Sequence, residues 1–237
     1  MPVRLRTSST SAKEQPAAPW WHTALVLIVP MAFSILSARE HGLPNAHLPG
    51  LNPKLSSYVT VLVEEWVGLL TIWLWLRHRG FTLRSLIGGR WDSLQSVLKD
   101  IGIALVFLVV SMPLIGLLAH LMGASRNISQ ADITPTTFGQ LSVWIALAAT
   151  GGFCEEVVYR GYLMRQFRVW TKSTTLAVLI QGIFFGLAHG FYGYAMVVVM
   201  VHGCLLGILA VWRRSLRPGI AAHILQDLIG GIVAFLS

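Results

Sequence analysis

Apolar residues in this chain gather in long unbroken runs. A helix needs about 20 of them in a row to cross a bilayer's hydrocarbon core of roughly 30 Å. Seven stretches reach or approach that length, at 20–38, 57–76, 100–122, 139–163, 174–191, 194–212 and 218–236. The pattern predicts an all-α membrane protein with about seven transmembrane helices. The first run opens on Trp20-Trp21, a pair suited to the membrane–water interface. No small-residue cleavage site follows it, so it reads as a retained anchor and not as a signal peptide. Residues 1–19 are polar, carry three prolines and read as a disordered cytoplasmic tail. No internal repeat is evident, and 20–237 reads as a single transmembrane domain.

Composition supports this picture. Of 237 residues, 54% are hydrophobic and only 12% are charged, against about a quarter charged in soluble domains. The net charge of +8 would suggest nucleic acid in a soluble protein. Its distribution gives another reason. With the N-terminus inside, the inner segments hold fifteen of the eighteen Lys and Arg. Only Arg39, Lys54 and Arg126 fall outside. That asymmetry is the positive-inside signature of an N-inside, C-outside chain, and it accounts for the charge without nucleic acid. The 77–99 loop mixes apolar and basic residues. It reads equally well as an amphipathic segment on the inner surface or as an ordinary positive loop. Cys154 and Cys204 lie in apolar runs without CxxC spacing, so neither a disulfide framework nor a zinc knuckle is implied.

Ionisable groups inside a span are energetically unfavourable and usually functional. In Gly151-Gly152-Phe153-Cys154-Glu155-Glu156-Val157-Val158-Tyr159-Arg160, Glu156 and Arg160 are four apart and share a helix face. Their pairing offsets the burial of both charges. Glu155 lies about 100 degrees round the helix, away from that arginine. A carboxylate that no fixed cation neutralises is suited to act as a general base or acid. Spacing therefore divides the pair into a structural Glu156 and a chemical Glu155. Further on, Phe185 and His189 share a face, beside a stripe of Gly182, Gly186 and Gly190 that suits close helix approach. His223 and Asp227 are four apart in the last span. Such a pair can fix a tautomer, bind a metal or polarise a carbonyl. Glu64-Glu65 in the second span lacks a following arginine; it faces a cavity or sits near the outer interface, and the interfacial position is the preferred reading. His120 and His202 read as structural or interfacial.

Glu-Glu-x-x-x-Arg, Phe-x-x-x-His and His-x-x-x-Asp, in this order on three late spans, form a specific set. It resembles the CAAX prenyl protease and bacteriocin-processing (ABI) family of intramembrane endopeptidases, over about 139–236. The resemblance implies an active site in a cavity among spans four, five and seven. It implies that Glu155 is the catalytic glutamate, with Glu156 and Arg160 its supporting pair and Phe185 the partner of His189 in the second motif. His189 would help hold a water, and His223 and Asp227 would face the oxyanion. Many members carry Asn where this chain has Asp227. An ionised Asp cannot donate to an oxyanion, but it is a better zinc ligand, so His189, His223 and Asp227 form a candidate zinc set with Glu155 as base. No His-Glu-x-x-His helix accompanies them, and no cofactor is certain. The implied partners are membrane lipid and a peptide or protein substrate, prenylated or membrane-embedded, in a bacterial plasma membrane.

Two rival readings exist. Buried Glu, His and Asp also build proton-coupled transporters, whose usual paired broken helices are not evident. A non-catalytic immunity or scaffold protein has no need of an unpaired intramembrane carboxylate. One difficulty faces the protease reading. Seven straight spans place His189 on the order of 15 Å outward of Glu155 at 1.5 Å per residue. A real site requires the fifth helix to start deeper, tilt, or break near its glycines.

Overall fold

The computed structural model describes residues 16–39, 48, 50–123 and 134–236. These residues are almost entirely helical. The main helices are α1 (Trp20–Arg39), α2 (Pro53–His78), the short α3 (Leu83–Ile87) and α4 (Leu94–Leu121). They are followed by α5 (Phe138–Thr171), α6 (Thr174–Ala188), α7 (Met196–Arg213) and α8 (Arg217–Leu236). All seven apolar stretches are helical. Five segments are long and apolar enough to span a bilayer by length and composition: α2, α4, α5, Tyr192–Arg213 and α8. The apolar helices Trp20–Ile35 and Thr174–Ala188 are shorter. The protein is thus an all-α integral membrane protein.

Helix α5 carries the main departure from the sequence reading. It runs for 34 residues, past the apolar run that ends at 163. Its middle, Glu156–Leu163, is a π-helical segment, a distortion often found at functional sites. The helix then continues through the polar residues Met164–Thr171. It turns at Lys172, which takes a left-handed conformation with φ 55°, the geometry that commonly ends a helix. Ser173 caps α6 by accepting from the Leu176 amide.

The added turns resolve the depth problem. Glu155 lies sixteen residues before the turn-side end of α5, and His189 lies fifteen residues after the start of antiparallel α6. The two therefore reach similar depth. Helix α6 has only 15 residues, about 22 Å at 1.5 Å per residue. It ends at the level of Glu155, and a 3-10 segment, Gly190–Ala195, leads back into α7.

Close backbone contacts bring the motif-bearing helices together. A Cβ on Gly186 would lie 2.6 Å from the Met196 carbonyl oxygen of α7, so α6 and α7 pack at a separation only glycine allows. On the other side, a Cβ on Gly152 would lie 2.8 Å from the Ile224 amide nitrogen, which sets α8 against α5.

The end of the bundle with the 172–173 and 214–216 turns is tied by polar contacts. Ala17 and Ala18 are buried. Gln166 Oε1 accepts from both of their amides, at 2.6 and 3.3 Å, and Gln166 Nε2 donates to the Ala18 carbonyl at 2.8 Å. Residues 16–19 are therefore part of the packed structure, unlike the disordered tail expected there; the rest of that tail, 1–15, lies outside the described residues. The 77–99 loop is anchored to the bundle. Its helix α3 docks on the α7–α8 turn, where the Leu216 amide donates to the Ile87 carbonyl at 2.8 Å. Asp100, 1% exposed, accepts from Arg217 Nε and Trp91 Nε1, each at 3.1 Å.

Candidate active site

The π-helical segment of α5 is almost fully buried, charges included. Glu156 Oε1 and Arg160 form an ion pair at 2.9 Å, with both side chains at 0% exposure. Arg160 also donates to the Gly203 carbonyl of α7 at 3.2 Å. Its guanidinium lies 4.2 Å from the centre of the Phe185 ring, a cation–π arrangement. Arg160 was grouped above with inner-loop cations, but it is an interior residue. Once Glu156 is buried beside it, leaving the bundle would strand either charge.

Glu156 reaches a further partner that sequence spacing did not reveal. His223 Nδ1 lies 3.1 Å from Glu156 Oε1. A carboxylate paired with arginine is an acceptor, so His223 donates from Nδ1. His189 is fixed in the same sense, with Nδ1 2.8 Å from the Phe185 carbonyl. A carbonyl can only accept, so the Nδ1 hydrogen is required there too. In both rings the remaining nitrogen, Nε2, faces Glu155. His189 Nε2 is 3.9 Å from Glu155 Oε1, and His223 Nε2 is 3.6 Å from Glu155 Oε2. These separations exceed a direct hydrogen bond and suit a bridging water.

Phe185 joins this constellation from beneath. It is 2% exposed and packs on Tyr159, His189 and His223 at ring-centre distances of 4.9, 4.8 and 6.0 Å. Tyr192 stacks on His189, with ring centres 5.9 Å apart. Asp227 sits at the mouth, 34% exposed, with Oδ2 3.7 Å from His223 Nε2. Its backbone carbonyl accepts from Trp144 Nε1 at 2.9 Å, which pins α8 to α5. The structure therefore brings together all seven residues singled out on the late spans: Glu155, Glu156, Arg160, Phe185, His189, His223 and Asp227.

These groups open on a cavity of about 1060 Å³ walled by α1, α2, α5, α6, α7 and α8. Two further groups on its wall were read differently from sequence. Glu64 and Glu65, assigned to an interface, line this cavity. Glu65 lies in electrostatic range of Glu155 and Asp227. His202 also lines it, 5% exposed. The available signal was two acidic residues in an apolar run, but periodicity gives a helix face and not what that face meets.

As a zinc set, His189, His223 and Asp227 do not fit as arranged. Among the described residues, no three His, Cys, Asp or Glu side chains are disposed to hold a metal ion.

Residues 137–229 match the family model described as type II CAAX prenyl endopeptidase Rce1-like. Over that stretch the resemblance carried by the three motifs is shown. No curated protein and no solved structure matches the chain.

Proposed function

We propose that this Rce1-like membrane protein is an intramembrane endopeptidase in which Glu155 activates a water to hydrolyse a peptide bond. The observation that carries this reading is the orientation of two histidines. Each has Nδ1 committed to a fixed acceptor and Nε2 turned to the same carboxylate.

A water about 2.8 Å from both Glu155 and His189 Nε2 fits the 3.9 Å gap between them. Glu155 takes one proton from this water, while the lone pair of His189 Nε2 receives the second O–H and orients the attacking oxygen. The nascent hydroxide adds to the scissile carbonyl. His223, as an imidazolium held by Glu156, donates from Nε2 to the oxygen on which charge develops. Glu155 then delivers its proton to the leaving amine, and the peptide C–N bond breaks. Asp227, an acceptor when ionised, acts on His223 and not on the oxyanion. The sequence is complete with the chain's own groups.

The test is cleavage of a membrane-peptide library by purified protein and by Glu155→Gln, each with and without chelator. Activity in the wild type, loss of at least about a hundredfold in the variant and indifference to chelator are expected. A Glu155→Gln protein as active as the parent would remove Glu155 from the mechanism. Loss of wild-type activity on chelation, restored by zinc, would replace the metal-free scheme.

A further inference from the structure

The wall of the cavity has an unusual charge composition. Four carboxylates line it: Glu64 and Glu65 from α2, Glu155 from α5 and Asp227 from α8. Among the described residues no Lys or Arg side chain does. The fixed cation of the site, Arg160, is committed to Glu156 and Gly203. The second carboxyl oxygen of Glu65 is buried and has no hydrogen-bond partner among the described residues. A buried carboxyl without a partner is stabilised by a donor or a cation brought to it, so Glu65, with Glu64 beside it on the same wall, leaves a complementary position in the cavity open.

A second observation points to a ligand in the same space. His202 on α7 is 5% exposed, and neither ring nitrogen has a hydrogen-bond partner among the described residues. Its ring centre is 6.4 Å from that of His223. An imidazole offers one donor and one acceptor, and leaving both unmatched in a buried setting is unfavourable. The groups facing the cavity thus include a carboxyl oxygen of Glu65 and a buried imidazole that the described residues leave unmatched.

We infer that Glu64 and Glu65 form a subsite for a cationic group, an ammonium or guanidinium, carried by the substrate close to the scissile bond. This inference rests on the peptide-hydrolysis reading. It separates this chain from a simple reader of CAAX tails. A CAAX motif ends in a free carboxylate, three residues beyond its modified cysteine. Three extended residues span about 10 Å, which keeps that terminal charge within the cavity. On the α2 side it would meet Glu64 and Glu65, and like charges brought together in a binding site are disfavoured, while the His223 imidazolium is already turned to Glu155 and Asp227. A Lys or Arg side chain, or a free α-amine, meets the opposite field.

The experiment uses the full-length protein in liposomes and matched internally quenched peptides. The peptides carry Lys, norleucine or Glu beside the cleaved bond, with acetylated N-termini and amidated C-termini. Further arms restore the free α-amine or the free C-terminal carboxylate. Wild type should cleave the Lys peptide about tenfold or more faster than the norleucine peptide, with the Glu and free-carboxylate peptides slowest. In Glu64→Gln/Glu65→Gln the Lys-to-norleucine rate ratio should fall to near one. A gain confined to the free-amine arm would assign the cation to the substrate's N-terminus. Equal wild-type rates for Lys and norleucine, or a ratio unchanged in the double variant, would overturn the subsite. The same peptides titrated onto Glu155→Gln give relative Kd values without turnover. No cleavage of any peptide, combined with tighter Lys binding, would sink the hydrolase reading and leave the subsite standing. Equal Kd values would sink the subsite. If the double variant does not fold, the wild-type rate ratio and these Kd values decide.

Discussion

Two adjacent glutamates with the same side chain occupy opposite situations. Glu156 is fully buried and shared between Arg160 and His223. Glu155 is 20% exposed and faces the cavity. Truncating either member of the buried pair strands the other charge, at a penalty of about 3–5 kcal/mol. Glu156→Ala and Arg160→Ala should therefore lower the unfolding temperature sharply, read by thermal melts in detergent. Glu155→Gln should melt within a degree or two of the parent. Arg160→Lys should not rescue stability, because an ammonium cannot keep the Glu156 and Gly203 contacts while stacking on Phe185. The pairing of Glu156, rather than Glu155, with Arg160 was legible in the sequence, because four-residue spacing fixes it. The Glu156–His223 bond was not, since it joins helices 67 positions apart. Glu64 and Glu65 were visible as anomalies, yet their neighbours depend on how α2 is rotated against α5.

At the level of elements, the seven apolar runs were legible and their helical state followed. The depth of His189 did not, for a physical reason. Hydropathy measures how much chain is greasy, not how far a helix continues. Residues 164–171 are polar enough to end an apolar run, yet they prolong α5 by two turns. That extension lets a 15-residue α6 bring His189 level with Glu155. The glycine stripe was read correctly as a close-packing surface at Gly182 and Gly186. Gly190 departs from it: its nearest side chain is Ser34 of α1. The contact between α5 and α8 makes a sharper demand. Gly152→Ala would drive a methyl into the Ile224 backbone, and helix backbone cannot yield as a side chain can. The variant should lose about 1–3 kcal/mol of stability. It should also lose activity disproportionately, because the α8 backbone it displaces carries His223. Measuring both unfolding temperature and peptide cleavage distinguishes this from a uniform loss of folded protein.

For the whole molecule, the contact between Asp100 and Arg217 holds α4 to the start of α8, six residues before His223. Its two ends are not equivalent. Asp100 is nearly inaccessible, while the Arg217 side chain is 18% exposed. Removing Arg217 leaves a carboxylate buried with Trp91 as its one side-chain donor among the described residues, whereas removing Asp100 leaves a cation that can turn to water. Arg217→Ala should be the more damaging change, by about 1–3 kcal/mol, in paired thermal melts. Arg217, counted in the sequence as one basic residue of an inner segment, is thus also a structural tie, which charge counting alone does not reveal.

The separation of Glu155 from the pairing that holds the bundle together has a practical side. On the proposed mechanism, silencing Glu155 while the cavity keeps its shape makes the chain a ready-made trap. Immobilised Glu155→Gln protein, incubated with solubilised native membranes, should retain uncut whatever peptide the parent would have released as fragments. The retained material would then identify the physiological cargo by mass spectrometry, with no prior guess at its sequence.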